Sequence, residues 1–228
     1  MICEKPYSRH FNSVLYHLDC MKALPAISDK YFDLAIVDVP YGIGQDGSKN
    51  HLRGVKSKKF HPFDDCCSPH VRYWQELFRV SKNQIVWGAN HFISKLPVQD
   101  ASCWVVWDKD NGETDFADCE LAWTSFKTAV RKFKFRWNGF LQENMKNKEI
   151  RIHPAQKPVK LYEWLLLKYA KKGDKILDTH LGSGSSRIAA FRLGYDFTGF
   201  EIDEYYCRVS AERFNKAIQC QTIKFNEE

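Results

Sequence analysis

Apolar positions fall in short clusters separated by polar and glycine-rich stretches, and the spacing changes from strand-like to helix-like along the chain. Residues 14–18 (VLYHL) predict a short strand ending at Asp19-Cys20, and Met21–Ile27 a short helix broken by Pro25. Phe32–Val37 (FDLAIV) is a nearly continuous apolar run ending at Asp38-Val39-Pro40-Tyr41-Gly42. Such a run suits a strand covered on both faces, as in a parallel sheet. Residues 69–80 read as a helix. Gln84–Trp87, Ser102–Trp107 and Glu120–Thr124 read as strands. Trp87, Trp104 and Trp107 lie in or at the ends of these strands and read as core residues. Asn90, just past Trp87, is a site candidate at a strand end.

The last third is the most regular. Pro158 starts a helix over Val159–Ala170, and Lys175–Leu177 is a strand ending at Asp178. Gly182, Ser183 and Gly184 follow, then a helix over Ser185–Leu193 stopped by Gly194. Asp196–Phe200 is a second strand, ending at Glu201-Ile202-Asp203, and Tyr205–Lys216 a closing helix. This is a β-loop-α-β unit, and the whole pattern predicts an α/β fold.

Two segments break the pattern. Residues 43–63 hold Lys49, Arg53, Lys56, Lys58 and Lys59 against one acid, Asp46, and read as a basic loop directly after the Asp38 strand. In Val130–Trp137, Lys132, Lys134 and Arg136 alternate with Phe133, Phe135 and Trp137. Period two places cations on one face and rings on the other. That fits a sheet strand with a solvated charged face, or a nucleic-acid surface.

Composition narrows the classes. At 228 residues, one α/β core is the natural size. Apolar residues at 44% and charged residues at 27% argue against global disorder. The formal charge of +6 permits a nucleic-acid partner without demanding one. The apolar runs fall far short of the ~20 residues of a spanning helix, and MICEKPYSRHFNS lacks the apolar region of a secretory signal. A cytoplasmic location is expected. The eight cysteines include no CxxC pair, so they read as reduced, small apolar residues rather than a disulfide or zinc framework, and no metal site is expected.

Two places carry chemistry. In Asp178-Thr-His-Leu-Gly182-Ser-Gly-Ser-Ser186, a glycine turn between strand and helix lets a ligand approach the backbone, and the helix start favours a negative group. Glu201, 23 residues after Asp178 at the end of the next strand, is placed to hold the two hydroxyls of a ribose. An adenosine-type ligand with an anionic or zwitterionic tail is expected. The loop is neither GxGxxG, since Arg187 stands at the third glycine, nor a Walker loop. At the other place, Asp38 and Tyr41 sit at the end of a buried strand, where open α/β sheets bind ligands. A carboxylate beside an aromatic face can accept a hydrogen bond from an amino group while the ring stacks on a base.

Together these residues resemble the amino-group DNA methyltransferases, whose marks are a D-P-P-Y catalytic tetrapeptide and a D-P-F-x-G-S-G-T cofactor loop. Here they read Asp38-Val-Pro-Tyr41 and Asp178-Thr-His-Leu-Gly182-Ser-Gly184-Ser185. The catalytic motif comes first and the cofactor loop last, as in the β-type members. His153-Pro-Ala-Gln-Lys157-Pro158 resembles their H-P-x-x-K-P segment, and Leu18-Asp19-Cys20 their Gly-Asp-Cys. Val39 replaces a proline and His180 a phenylalanine. The resemblance spans roughly residues 14–42 and 150–215.

It implies a Rossmann-like, doubly wound, mostly parallel sheet forming one methyltransferase domain over residues 1–228. It implies transfer of a methyl group from S-adenosylmethionine to the exocyclic amine of a flipped base in double-stranded DNA, in the setting of restriction-modification. Asp38 leans to adenine N6 over cytosine N4. Asp38, Pro40 and Tyr41 are the implied catalytic residues. Asp19, Cys20, Lys157, Pro158, Asp178, Gly182, Ser183, Gly184, Ser185 and Glu201 are the implied cofactor residues, with Glu201 on the ribose, Asp19 and Cys20 near the adenine, and Asp178, the loop and Lys157-Pro158 at the methionine end. The basic loop is the first candidate for DNA contact, through phosphates, and the Lys132/Lys134/Arg136 face the second. A homodimer is compatible with the family. An RNA amino methyltransferase, an inactive DNA-binding relative and a nicotinamide dehydrogenase are the competing readings. The last leaves Asp38-x-Pro-Tyr41 unexplained.

Overall fold

The computed structural model describes residues 2, 4–45, 60–112, 117–138 and 141–225. The elements are β1 (Ser8–His10), β2 (Ser13–His17), α1 (Cys20–Ala23), β3 (Phe32–Val37), α2 (Val71–Val80), β4 (Ser81–Trp87), β5 (Trp104–Asp108), β6 (Cys119–Thr124), β7 (Arg131–Lys134), β8 (Trp137–Asn138), β9 (Leu141–Gln142), α3 (Val159–Tyr169), β10 (Lys175–Asp178), α4 (Ser185–Arg192), β11 (Asp196–Glu201) and α5 (Glu204–Phe225).

Nine strands form one sheet in the order β1-β2-β11-β10-β3-β4-β6-β5-β7. The central run β2-β11-β10-β3-β4 is parallel, and the β5–β7 pair is also parallel. The β1–β2, β4–β6 and β5–β6 pairs are antiparallel. This is the expected Rossmann-like, mostly parallel sheet.

The continuous apolar strands follow from cover on both faces. Leu34 and Ile36 of β3 pack with α3, α4 and α5 through Val159, Leu165, Ile188 and Phe214. Ala35 and Val37 pack on the opposite side with Tyr73, Trp74 and Leu77 of α2. Trp87 and Trp107 are buried in the first layer, as expected of core residues, with Trp104 at the margin of the second.

The predicted strand over Val130–Trp137 is shorter. β7 ends at Lys134, and β8 pairs separately with β9. Trp137 needs that break. Its indole donates to the Gln156 carbonyl at 3.0 Å, with the ring buried in the core. The alternation itself holds. Phe133 and Phe135 stack at 5.7 Å and Phe133 meets Trp164, while Lys134 and Arg136 pair with Asp110 and Lys132 with Asp108. Each cation of this face thus pairs with an acid of the same molecule, Lys134 and Arg136 sharing Asp110. Among the described residues no helix is long and apolar enough to cross a membrane, and Cys20, Cys66, Cys67, Cys103, Cys119 and Cys207 are free thiols.

Candidate active site and its family

β3 and β10 are neighbours, with Leu34 opposite Ile176 and Ala35 opposite Leu177. The two turns that leave their C-terminal ends, at Asp38 and Asp178, therefore open on the same edge of the sheet. A single cleft of about 1910 Å³ runs past both, lined by Asp19, Cys20, Asp38, Pro40, Tyr41, His153, Lys157, Gly182, Ser183 and Glu201. It brings together residues more than 100 positions apart. Asn90 also lines it.

At the first turn, Asp38 meets two partners. Its Oδ1 accepts from the Tyr41 hydroxyl at 2.7 Å, and its Oδ2 from the Lys157 ammonium at 2.5 Å. Lys157 also lies 3.2 Å from the Tyr41 hydroxyl and 3.1 Å from Glu120 Oε2. Lys109 holds the other Glu120 oxygen at 2.6 Å. Lys157 is 3% exposed. Burial works against its charge, but Asp38 and Glu120 outweigh that and raise it above the usual lysine value. Burial likewise pushes Asp38 up, with Glu120 adding and Lys157 opposing. Burial acts on Glu120 in the same sense, but the charges of Lys157 and Lys109 overcome it and hold the carboxyl down at about 2.

The backbone of this turn is held from a distance. Asp65, buried, accepts the amides of Tyr41 (2.7 Å), Gly42 (2.9 Å) and Gln45 (2.8 Å). The Tyr41 ring stacks on His91 at 5.3 Å and lies over Gly88, where a Cβ would fall 2.2 Å from the ring. Gly88 has φ +69°, so glycine serves both the backbone and the close approach.

The second turn is held locally. Asp178 accepts the Ser186 hydroxyl at 2.5 Å and the His180 amide at 3.0 Å. It is 2% exposed, and burial pushes its carboxyl up to about 7. Glu201 accepts the Gly182 amide at 2.7 Å and the Asp203 amide at 3.0 Å, and burial raises it too. Gly182 (φ +51°) and Gly184 (φ +73°) take left-handed backbone conformations, and Gly184 caps α4. Ser185 Oγ donates to the Lys157 carbonyl at 2.7 Å. Arg213 donates to the Ser183 carbonyl and Ser185 Oγ, and pairs with Glu149 at 2.6 Å. The Lys157 backbone and the Gly182–Ser185 loop are thereby fixed to one another. Asp19 caps α1 through the Met21 amide at 2.9 Å, and buried Cys20 is pushed up to about 12.

The cleft gathers every implied catalytic residue and most of the implied cofactor residues. The ammonium of Lys157 engages the Asp38 turn, because a cation this buried needs carboxylates and Asp38 and Glu120 supply them. Glu120 and Asp65 escaped the sequence reading. Glu120 carries a faint signal, an acid inside the otherwise apolar strand CELAWT, whereas Asp65 carries none. His180 is a packing residue: its Nδ1 bonds Thr179 Oγ1 at 2.9 Å, and its ring meets Tyr73 edge-on. Lys49, Arg53, Lys56, Lys58 and Lys59 lie outside the described residues.

The site suits S-adenosylmethionine on two counts. Asp19, Cys20, Gly182, Glu201 and Asp38 all line one cleft. Each Glu201 oxygen bonds one amide and retains acceptor capacity for a hydroxyl.

Comparison with known proteins agrees. Residues 89–212 match the N6/N4 methyltransferase model, described as DNA methylase. The chain is 25% identical to the type II methyltransferase M2.LlaDCHI of Lactococcus lactis subsp. cremoris, over 95% of this chain and 94% of that one. It is 24% identical to the type II methyltransferase M2.DpnII of Streptococcus pneumoniae, over 93% of each. In fold it is similar to the M1.HpyAVI–SAM complex (TM-score 0.53, 19% identity, 88% of this chain and 98% of that one). It is also similar to the PvuII cytosine-N4-specific DNA methyltransferase (TM-score 0.61, 14% identity, 100% and 98%). With the family model covering more than half of its length, and with a cleft built to its motif order, this chain belongs to the S-adenosylmethionine-dependent, amino-group DNA methyltransferases.

Proposed function

We propose that this chain methylates adenine N6 in double-stranded DNA, acting as one catalytic domain over residues 1–228, with Asp38, Pro40 and Tyr41 as its catalytic residues. The observation that carries the reading is the Asp38–Tyr41–Lys157 cluster in the same cleft as Gly182 and Glu201.

An exocyclic amine is a poor nucleophile because its lone pair is delocalised into the ring. A target base turned out of the duplex stacks against Tyr41 at the cleft. The Asp38 carboxylate and the Pro40 carbonyl then accept its two N–H hydrogens. Both bonds favour a pyramidal nitrogen with its lone pair directed away from the ring. Glu201 would hold the ribose of S-adenosylmethionine, Asp19 and Cys20 would border its adenine, and Asp178, Gly182, Ser183, Gly184, Ser185 and the Lys157-Pro158 backbone would surround its methionine end. When bound, it supplies a methyl group on a cationic sulfonium. The rate enhancement by the chain's own residues is positioning and electrostatics, with no covalent enzyme step. The basic loop over 43–63 would meet DNA phosphates, giving affinity that falls with salt.

Nucleoside mass spectrometry of DNA from cells expressing the chain, beside an Asp38→Ala control, tests this. N6-methyladenine absent from the control is expected. N4-methylcytosine would overturn the choice of base. No methylated base in DNA, with methylation of RNA, would overturn the substrate.

A further inference from the structure

Asp38 must accept hydrogen bonds from an incoming amine, yet one of its oxygens already carries a fully buried ammonium at 2.5 Å. An isolated Asp38–Lys157 pair in so dry a place would close on itself. The ammonium would concentrate its attraction on one carboxylate and make it a weak acceptor for a neutral amine. The structure supplies a second carboxylate. Glu120, on β6, faces Lys157 from across the cleft at 3.1 Å and is itself balanced by Lys109 at 2.6 Å. Charges alternate along the row Asp38, Lys157, Glu120, Lys109, and the row sums to zero.

We propose that Glu120 is a positioning residue for methyl transfer, which shares the Lys157 ammonium with Asp38 and so leaves the Asp38 carboxylate available to the target amine. The proposal rests on the reading of Asp38 as amine acceptor.

Three features support it. Glu120 is ionised throughout the working range, because Lys157 and Lys109 hold its carboxyl far below the ordinary carboxylate value. Lys157 cannot leave, since Trp87 and Tyr41 flank its ammonium at 5.4 and 5.8 Å and its backbone carbonyl is tied to Ser185. β6 is fixed between β4 and β5, with Glu120 opposite Trp107, so the carboxylate is delivered by the sheet and not by a loop.

The pH dependence of turnover gives the distinguishing readout. The groups facing Asp38 are Lys157, Glu120, Tyr41, Tyr162 and Asp178. Those facing Glu120 are Lys157, Lys109, Arg151, Asp38, Tyr41 and Tyr162. Glu120 is a like charge to Asp38 and raises it. In Glu120→Gln the Asp38 carboxyl therefore falls, and the acid limb of kcat moves to lower pH. In Lys109→Gln a positive charge is lost from the far end of the row, Asp38 rises, and the limb moves to higher pH. A merely structural role predicts no such opposition.

The experiment measures methyl transfer from tritiated S-adenosylmethionine to unmethylated genomic DNA between pH 5 and 9, with S-adenosylhomocysteine affinity by calorimetry and the thermal midpoint of each variant. Expected for Glu120→Gln is a kcat lowered at least tenfold, an S-adenosylhomocysteine affinity within about twofold of wild type, and partial recovery in Glu120→Asp. The opposite limb shifts of the two variants complete the pattern. A kcat within twofold of wild type overturns the proposal. So does a loss of kcat with both limbs unmoved, which would mark Glu120 as a packing residue. If Glu120→Gln does not fold, the direction of the Lys109→Gln shift decides. Wild type inactive on DNA would instead fail the functional reading, and the Asp38→Ala control separates that outcome from failure of the Glu120 proposal.

Discussion

Two strand-end aspartates on neighbouring strands, both raised by burial, are held by different kinds of partner. Asp38 has a lysine on one oxygen and a tyrosine hydroxyl on the other, and its turn is clamped by Asp65 from 24 residues further along the chain. Asp178 has a serine hydroxyl and one backbone amide, and burial leaves it near 7. A carboxylate that must stay charged in a dry site needs a counter-cation. Among the described residues Asp178 has neutral hydrogen-bond donors and no cation, and its carboxyl rises accordingly. The difference separates a turn whose carboxylate is compensated by a cation of its own chain from a loop whose carboxylate is held only by neutral donors.

The largest effect that would sharpen this contrast is at Asp65. Asp65→Ala strands three amides that now share one carboxylate. A loss of roughly 2–4 kcal/mol of stability is expected, together with a fall in kcat as Tyr41 loosens, while S-adenosylhomocysteine affinity holds. Urea unfolding and calorimetry measure both. An equal loss of cofactor affinity would mean that the two turns are one mechanical unit and break the comparison.

Next comes Asp178→Asn. The folded-state value of about 7 lies above the ordinary 3.8. The native state thus holds the extra proton between about pH 4 and 7, and the wild type loses stability as pH rises through that window. Asparagine removes the ionisation. The variant should melt higher than wild type at pH 8, on the order of 2–6 °C, with the gap closing toward pH 4. Its S-adenosylmethionine affinity should fall. A gap that does not depend on pH would show that Asp178 ionises without cost.

The smallest effect is at His180, held neutral by burial at about 4. The unfolded chain takes up a proton below about 6.5, so the wild type loses stability as pH falls from there toward 4. His180→Phe should shallow that slope and match wild type above pH 7. His153, held at about 3 by burial and the nearby Lys157 and Arg151, keeps the remaining slope. Melting curves at pH 5 and 8 test the pair.

Much of this architecture is legible in the sequence. Phe32–Val37 matches β3 residue for residue, and β10, α4 and β11 lie within a residue of expectation, because strands covered on both faces must be continuously apolar. β1, β8 and β9 were invisible, being two or three residues long and mostly polar or exposed. Both motifs were legible as motifs. Their partners were not. Asp65 sits in an undistinguished Asp-Asp-Cys-Cys stretch, and only the folded loop shows that it accepts three amides. Lys157 was legible as a site residue but not its allegiance, since the choice between a ligand and Asp38 is made by burial. The cations after Val130 left two readings open, and their pairing with Asp108 and Asp110 favours the solvated face.

The placement of β10 between β3 and β11 has a consequence for how the protein is made. β3 leaves the ribosome about 140 residues before the strand that lies against it, so one long side of an apolar strand waits unpaired through most of synthesis. Contacts so distant in sequence are slow to form. They also set an order: the Asp38 turn and the Gly182–Gly184 loop meet only when the sheet's centre is filled, so a nascent chain that stops short of β11 has no complete cleft.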